Sequence, residues 1–136
     1  MHRKIAFGYF VVLSLVAALN YIPGVTDENG TAFGIFALDI YDDALHAASA
    51  LWALGAALVS ARASRLYLLL FGALYLLLFG ALYLADGLLG LVTGSGYLDL
   101  GIFTWGVQSL PLGFKILANG PHLALGGFAL AMGLRR

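Results

Sequence analysis

The sequence predicts an all-α integral membrane protein, a four-helix bundle folded as one transmembrane domain over residues 1–136. Three observations carry that prediction. The chain is 62% hydrophobic and only 10% charged, whereas soluble domains carry about 25% charged residues. Its mean hydropathy is +0.94, which leaves too little polar surface to cover a water-soluble fold of this size. And Leu66–Leu91 is a run of 26 residues with one charge, Asp86. About 20 mostly apolar residues suffice to cross a hydrocarbon core about 30 Å thick, so this run spans with some tilt.

The first helix is expected over residues 5–22. Eighteen residues rise about 27 Å, enough to cross, and Pro23-Gly24 stops the run. The charged start followed by an apolar stretch also resembles a secretion signal. Asn20-Tyr21-Ile22-Pro23 makes a poor cleavage site, so the segment reads as a retained helix. An outer loop, 23–43, holds Asp27, Glu28, Asp39, Asp42 and Asp43. Its apolar middle, residues 33–38, is expected at the membrane interface or dipping into the bundle. The second helix is expected over 44–61, with Asp42 and Asp43 where a cap and the helix dipole favour carboxylates. The third is 66–91. A second outer loop covers 92–118, and within it the half-apolar stretch 97–117 reads as interfacial or re-entrant. The fourth helix is expected over 119–134, with Pro121 suited to its first turn.

The charges set the orientation. Arg3, Lys4, Arg62, Arg65, Arg135 and Arg136 all fall on one side of such a bundle, and Lys115 alone on the other. Cytoplasmic loops collect Lys and Arg, so both termini are expected inside the plasma (inner) membrane. The seven acids lie outside or near the outer ends.

Two repeats are visible. Leu66–Ala73 and Leu74–Ala81 are both LYLLLFGA, a period that matches no supercoil and reads as a local duplication. The second repeat is architectural. His46, Ala50, Ala53 and Ala57 share the offsets 0, 4, 7 and 11 with His122, Gly126, Ala129 and Gly133. At about 100° per residue each set falls on one helix face. Small residues there let transmembrane backbones approach closely. Gly34-Ile35-Phe36 and Gly101-Ile102-Phe103 recur upstream of the two histidines. These matches suggest two helical hairpins of the same orientation, related by a pseudo-twofold along the membrane normal. Gly72, Gly80 and Gly87 mark the packing side of the third helix.

The candidate site follows from depth. At about 1.5 Å per residue, Asn20, His46 and His122 each lie about 20–24 Å from the inner boundary, and Asp86 about 31 Å from Arg65. Each helix thus offers one polar group at its outer end. Ionisable groups cost about 2.5–3.5 kcal/mol at mid-membrane and less toward an interface, so they point to function. Two facing imidazoles can ligate haem iron. With Asp86 or the loop residues Asp39, Asp42 and Asp43 they can hold a divalent metal, and a His–Asp pair can carry protons. The plainer reading is that the histidines pin the outer end of the bundle. With no cysteine, disulfides, zinc-thiolate sites and iron–sulfur clusters are excluded, and no basic patch suits nucleic acid. No nucleophile–base pair, phosphate loop or dinucleotide fingerprint is present.

Asp43-Ala44-Leu45-His46 leads into a small-residue helix. The Leu74–Leu91 run carries GLLGL, and Asn119-Gly120-Pro121-His122 leads into a glycine-rich last helix ending in arginines. In these features the chain resembles a bacterial group of four-span membrane proteins, the domain of unknown function 4383 group. The resemblance implies four spans and a plasma-membrane location, and no activity. The expected function is therefore an accessory subunit or homo-oligomeric membrane component, with the bilayer, itself or another membrane protein as partner. A haem- or metal-binding redox protein and a proton or small-solute transporter using Asp86 are the alternatives.

Overall fold

A computed structural model of the chain describes residues 1–28, 30–73, 91–94 and 101–135. It is mostly helical, with little strand. The described elements are α1 (His2–Ala18), β1 (Thr31–Ala32), β2 (Phe36–Ala37), α2 (Ile40–Val59), α3 (Ala61–Ala73), α4 (Gly101–Trp105) and α5 (Leu112–Leu134). They divide into two compact units, Met1–Ser64 and Arg65–Arg136.

In the first unit α1 and α2 form an antiparallel hairpin. Helix α1 buries Ala6, Tyr9 and Leu13, one stripe at helical spacing. It tightens into a 3₁₀ turn, Leu19–Tyr21, a usual way to satisfy carbonyls at a helix end. Helix α2 buries Asp42, Asp43, His46, Ala50, Ala53, Ala56 and Ala57. That stripe is polar at its outer end and small along the rest. Large side chains on the other faces, among them Leu15, Leu51, Trp52 and Leu58, are exposed. Where α1 begins and α2 ends, Arg3 on α1 donates from Nε to the carbonyl of Ala57 at 2.7 Å and from its terminal nitrogen to that of Leu58 at 3.3 Å. The last carbonyls of a helix have no intrahelical donor, and a cation there also meets the negative end of the dipole.

Helix α2 starts four residues earlier than expected, at Ile40 rather than Ala44. Asp39, not Asp42 or Asp43, is its cap: its carboxylate accepts from the backbone N–H of Tyr41 and Asp42. Asp42 returns the contact to the Asp39 N–H at 3.3 Å, closing a capping box. The turn between α2 and α3 is shorter than expected. Ser60 alone is extended, and its Oγ accepts from the N–H of Ala63 at 2.9 Å. Ser64 donates its hydroxyl back to the carbonyls of Ala56 and Ser60. Arg62 and Arg65 therefore sit on α3 rather than in a loop.

The loop between α1 and α2 holds a small hairpin, with Thr31 opposite Ala37 and Ala32 opposite Phe36. The turn between the strands is closed by the Ile35 N–H on the Ala32 carbonyl. Both its central residues, Phe33 and Gly34, have positive φ, 56° and 67°, as a type I′ turn requires. Glycine takes that conformation freely. Phenylalanine does not, at a cost of about 1–2 kcal/mol.

In the second unit α3 and α5 pack closely. A Cβ on Gly133 would lie 2.9 Å from the backbone nitrogen and Cγ of Leu69. Arg65 donates from Nε to the Gly133 carbonyl at 2.9 Å, the same kind of helix-end contact that Arg3 makes in the first unit. Tyr67 and Phe71 stack, with ring centroids 5.2 Å apart. Helix α5 begins at Leu112 rather than Asn119, so Pro121 lies inside it and not in its first turn. Membrane helices accept such a proline where neighbours re-satisfy the freed backbone. Residues 112–117 of the expected interfacial or re-entrant stretch are thus the start of the last helix, and Gly101–Trp105 within it is α4.

Among the described residues two stretches are long and apolar enough to cross a membrane: His2–Tyr21 and Leu112–Leu134. Helix α2 has 20 residues, but Asp42, Asp43 and His46 occupy its outer turns. The greater part of the expected third span, with Asp86, Gly80 and Gly87, lies outside the described residues.

Candidate functional site: the outer polar cluster

The polar residues of the first unit converge where α1 ends and α2 begins. Asn20 sits one heptad beyond Leu13 and so continues the buried face of α1. Its amide donates to the Leu38 carbonyl at 2.9 Å and to Oδ2 of Asp43 at 3.1 Å. Residues 39, 42, 43 and 46 follow the i, i+3, i+4, i+7 rule and fall on the face of α2 that turns toward α1. Asp42, Asp43 and His46 are all more than nine-tenths buried. The positive end of the α2 dipole offsets part of the cost of burying the two carboxylates.

His46 Nδ1 lies 2.7 Å from the Asp42 carbonyl. A carbonyl only accepts, so Nδ1 carries the hydrogen, and in the neutral ring the lone pair is on Nε2. Asp43 is the less complete partner: Oδ2 takes the Asn20 hydrogen bond, while Oδ1 is buried with no partner. Tyr21, exposed, stands beside the same carboxylate. The cluster therefore joins the two helices and the loop through one amide.

His46 belongs to the first unit and His122, half-buried on α5, to the second. The structure brings Asn20, Asp39, Asp42, Asp43 and His46 together. Asp86 lies outside the described residues. Among the described residues no group of three or more His, Asp or Glu side chains is placed to hold a metal ion. In the two stripes, Ala50, Ala53 and Ala57 on α2 and Gly126, Ala129 and Gly133 on α5 are buried. Gly72 lies on α3.

Two helix-end contacts carry no signal in the local residue pattern. Arg3 and Arg65 read only as topology signals, yet each closes a helix C-terminus 54 or 68 residues away. The Asp39-x-x-Asp42 spacing was the available signal for the true cap. Compared with protein families, curated proteins and solved structures, the chain matches none.

Proposed function

We propose that this chain is a small multi-pass protein of the plasma (inner) membrane, with four spans and both termini cytoplasmic. It acts as an accessory subunit or homo-oligomeric membrane component. The carrying observation is how the polar side chains of its helices are used. Arg3, Asn20, Ser64 and Arg65 each bind backbone or side chains of their own unit, while large apolar side chains cover the outer faces. Such a surface suits lipid and other helices.

The two-hairpin repeat is part of the proposal. Arg3 reaches the carbonyl of Ala57 and Arg65 that of Gly133, and these acceptors hold the same offset, 11, from His46 and His122. Ala6 and Tyr9 lie three and six residues after Arg3, and Leu68 and Phe71 three and six after Arg65. All four are buried. The resemblance to the 4383 group belongs to the same proposal and brings no activity with it.

The test is the oligomeric state and composition of protein purified in mild detergent from native membranes, read by native mass spectrometry. A defined oligomer or a stoichiometric partner is expected. A monomer carrying one haem or metal overturns it.

One observation favours a second reading. A histidine whose Nδ1–H is held by a carbonyl is oriented as metal-ligating histidines are. In that reading His46 is a ligand of a haem or divalent metal, and His122 is the other candidate ligand. An absorption spectrum with elemental analysis decides it: a Soret band or stoichiometric metal lost in both His46→Ala and His122→Ala supports the redox reading, and unchanged content in both ends it.

A further inference from the structure

The outer loop of the first unit has two tips of opposite character. One is acidic. Asp27 accepts hydrogen bonds from the backbone N–H and hydroxyl of Thr31, next to exposed Glu28 and Gly30. The other is the Ala32–Ile35 turn, which puts Phe33 at its apex, 62% exposed. The turn is fixed to the helix ends. The Phe33 N–H donates to the Val25 carbonyl, the Val25 N–H donates to the Ile22 carbonyl, and Ala32 at the base of the turn is fully buried. The Asn20 bonds to Leu38 and Asp43 place Tyr21 and Ile22 beside the start of α2. There Ile40 and Tyr41 are exposed as well. Phe33, Tyr21, Ile22, Ile40 and Tyr41 thus form an exposed apolar rim at one end of the helix pair, with two phenolic hydroxyls in it.

We infer that this rim is a lipid-docking surface, with the Phe33 turn inserted at the headgroup–acyl boundary of the outer leaflet and the Asp27–Gly30 tip in water. The inference rests on the spanning reading of α1. The occupant follows from position: the rim is continuous with the end of the crossing segment His2–Tyr21. Aromatic side chains with one apolar and one polar end gather at that depth. The turn directs Phe33 outward and so does not dip into the hairpin. The residue also holds a left-handed conformation that asparagine or glycine would take with less strain, so its side chain is present for what it meets outside the chain.

The natural chain has no cysteine, so single nitroxide probes report depth directly. Leu15→Cys, Phe33→Cys and Glu28→Cys are labelled in proteoliposomes of phosphatidylethanolamine and phosphatidylglycerol. Their relaxation is read with oxygen, which partitions into lipid, and with a nickel chelate, which stays in water. The expected result is oxygen dominance at Leu15, a smaller oxygen dominance at Phe33, and nickel dominance at Glu28. Nickel dominance at Phe33 with oxygen dominance at Leu15 overturns the docking surface and leaves the span. Nickel dominance at Leu15 overturns the span itself. Exclusion of both reagents from Phe33 means that protein covers the rim, and also overturns the inference. The conservative Phe33→Trp, with Trp52→Phe and Trp105→Phe, is a second readout. A blue-shifted emission quenched by phospholipids brominated near the headgroup is expected, and water-like emission without quenching overturns the inference.

Discussion

Asn20 joins three pieces of backbone with one amide. It binds the loop at Leu38 and α2 at Asp43, and its own carbon skeleton belongs to the end of α1. Removing it leaves the buried Asp43 carboxylate without the hydrogen bond from the Asn20 amide. Leaving a buried acceptor unmade costs about 1–3 kcal/mol. We expect Asn20→Ala to lower the free energy of unfolding in detergent by that amount, followed by circular dichroism. Asn20→Asp is expected to be worse, since it sets a second carboxylate against Asp43. Arg3 works through its fork of donors on Ala57 and Leu58. Its guanidinium is largely exposed, so Arg3→Ala is expected to cost about 1 kcal/mol by the same measurement. Arg3→Lys keeps the charge and recovers only part of it, because lysine lacks the planar fork.

Among the elements, α5 offers the sharpest contrast. Gly133 has no room for a methyl group, because Leu69 already occupies the space at 2.9 Å. Gly127, six residues earlier on the same helix, has nothing within 4 Å of an added Cβ. Gly133→Ala is expected to destabilise by about 1–3 kcal/mol through overpacking. Gly127→Ala is expected to be neutral or to stabilise by about 0.5–1 kcal/mol, since alanine is the better helix former. Equal effects would mean that α3 and α5 do not pack through Gly133. At the start of α2, Asp39→Ala removes the cap and is expected to cost about 1 kcal/mol. Asp43→Asn tests a different role, because the Asp43 carboxylate takes no part in the capping box. These boundaries were only partly legible. Three carboxylates compete for the cap of α2, and only the closed box picks Asp39. Pro121 reads as a helix start because proline suits the first turn. The backbone instead continues from Leu112, so residues 112–117 belong to the last helix.

At the scale of the molecule, hydropathy and charge segregation are strong signals because the bilayer acts on long stretches, not on single contacts. Single-cysteine accessibility on intact cells tests the orientation. A probe at Glu28→Cys is expected to react with a membrane-impermeant maleimide, and one at Lys4→Cys only after permeabilisation. The reverse pattern would invert the topology.

The sequence by itself determined the mostly helical class, the apolar character of the segments and the small-residue stripes, since each is a property of composition or of local periodicity. Only the tertiary structure decided which carboxylate caps α2 and which carbonyls Arg3 and Arg65 close. It also decided that Asn20 meets Asp43 and that Phe33 stands at the apex of a strained turn. Each of these depends on residues distant in sequence, or on backbone torsions that no residue type fixes alone, so packing has to select among several locally acceptable choices.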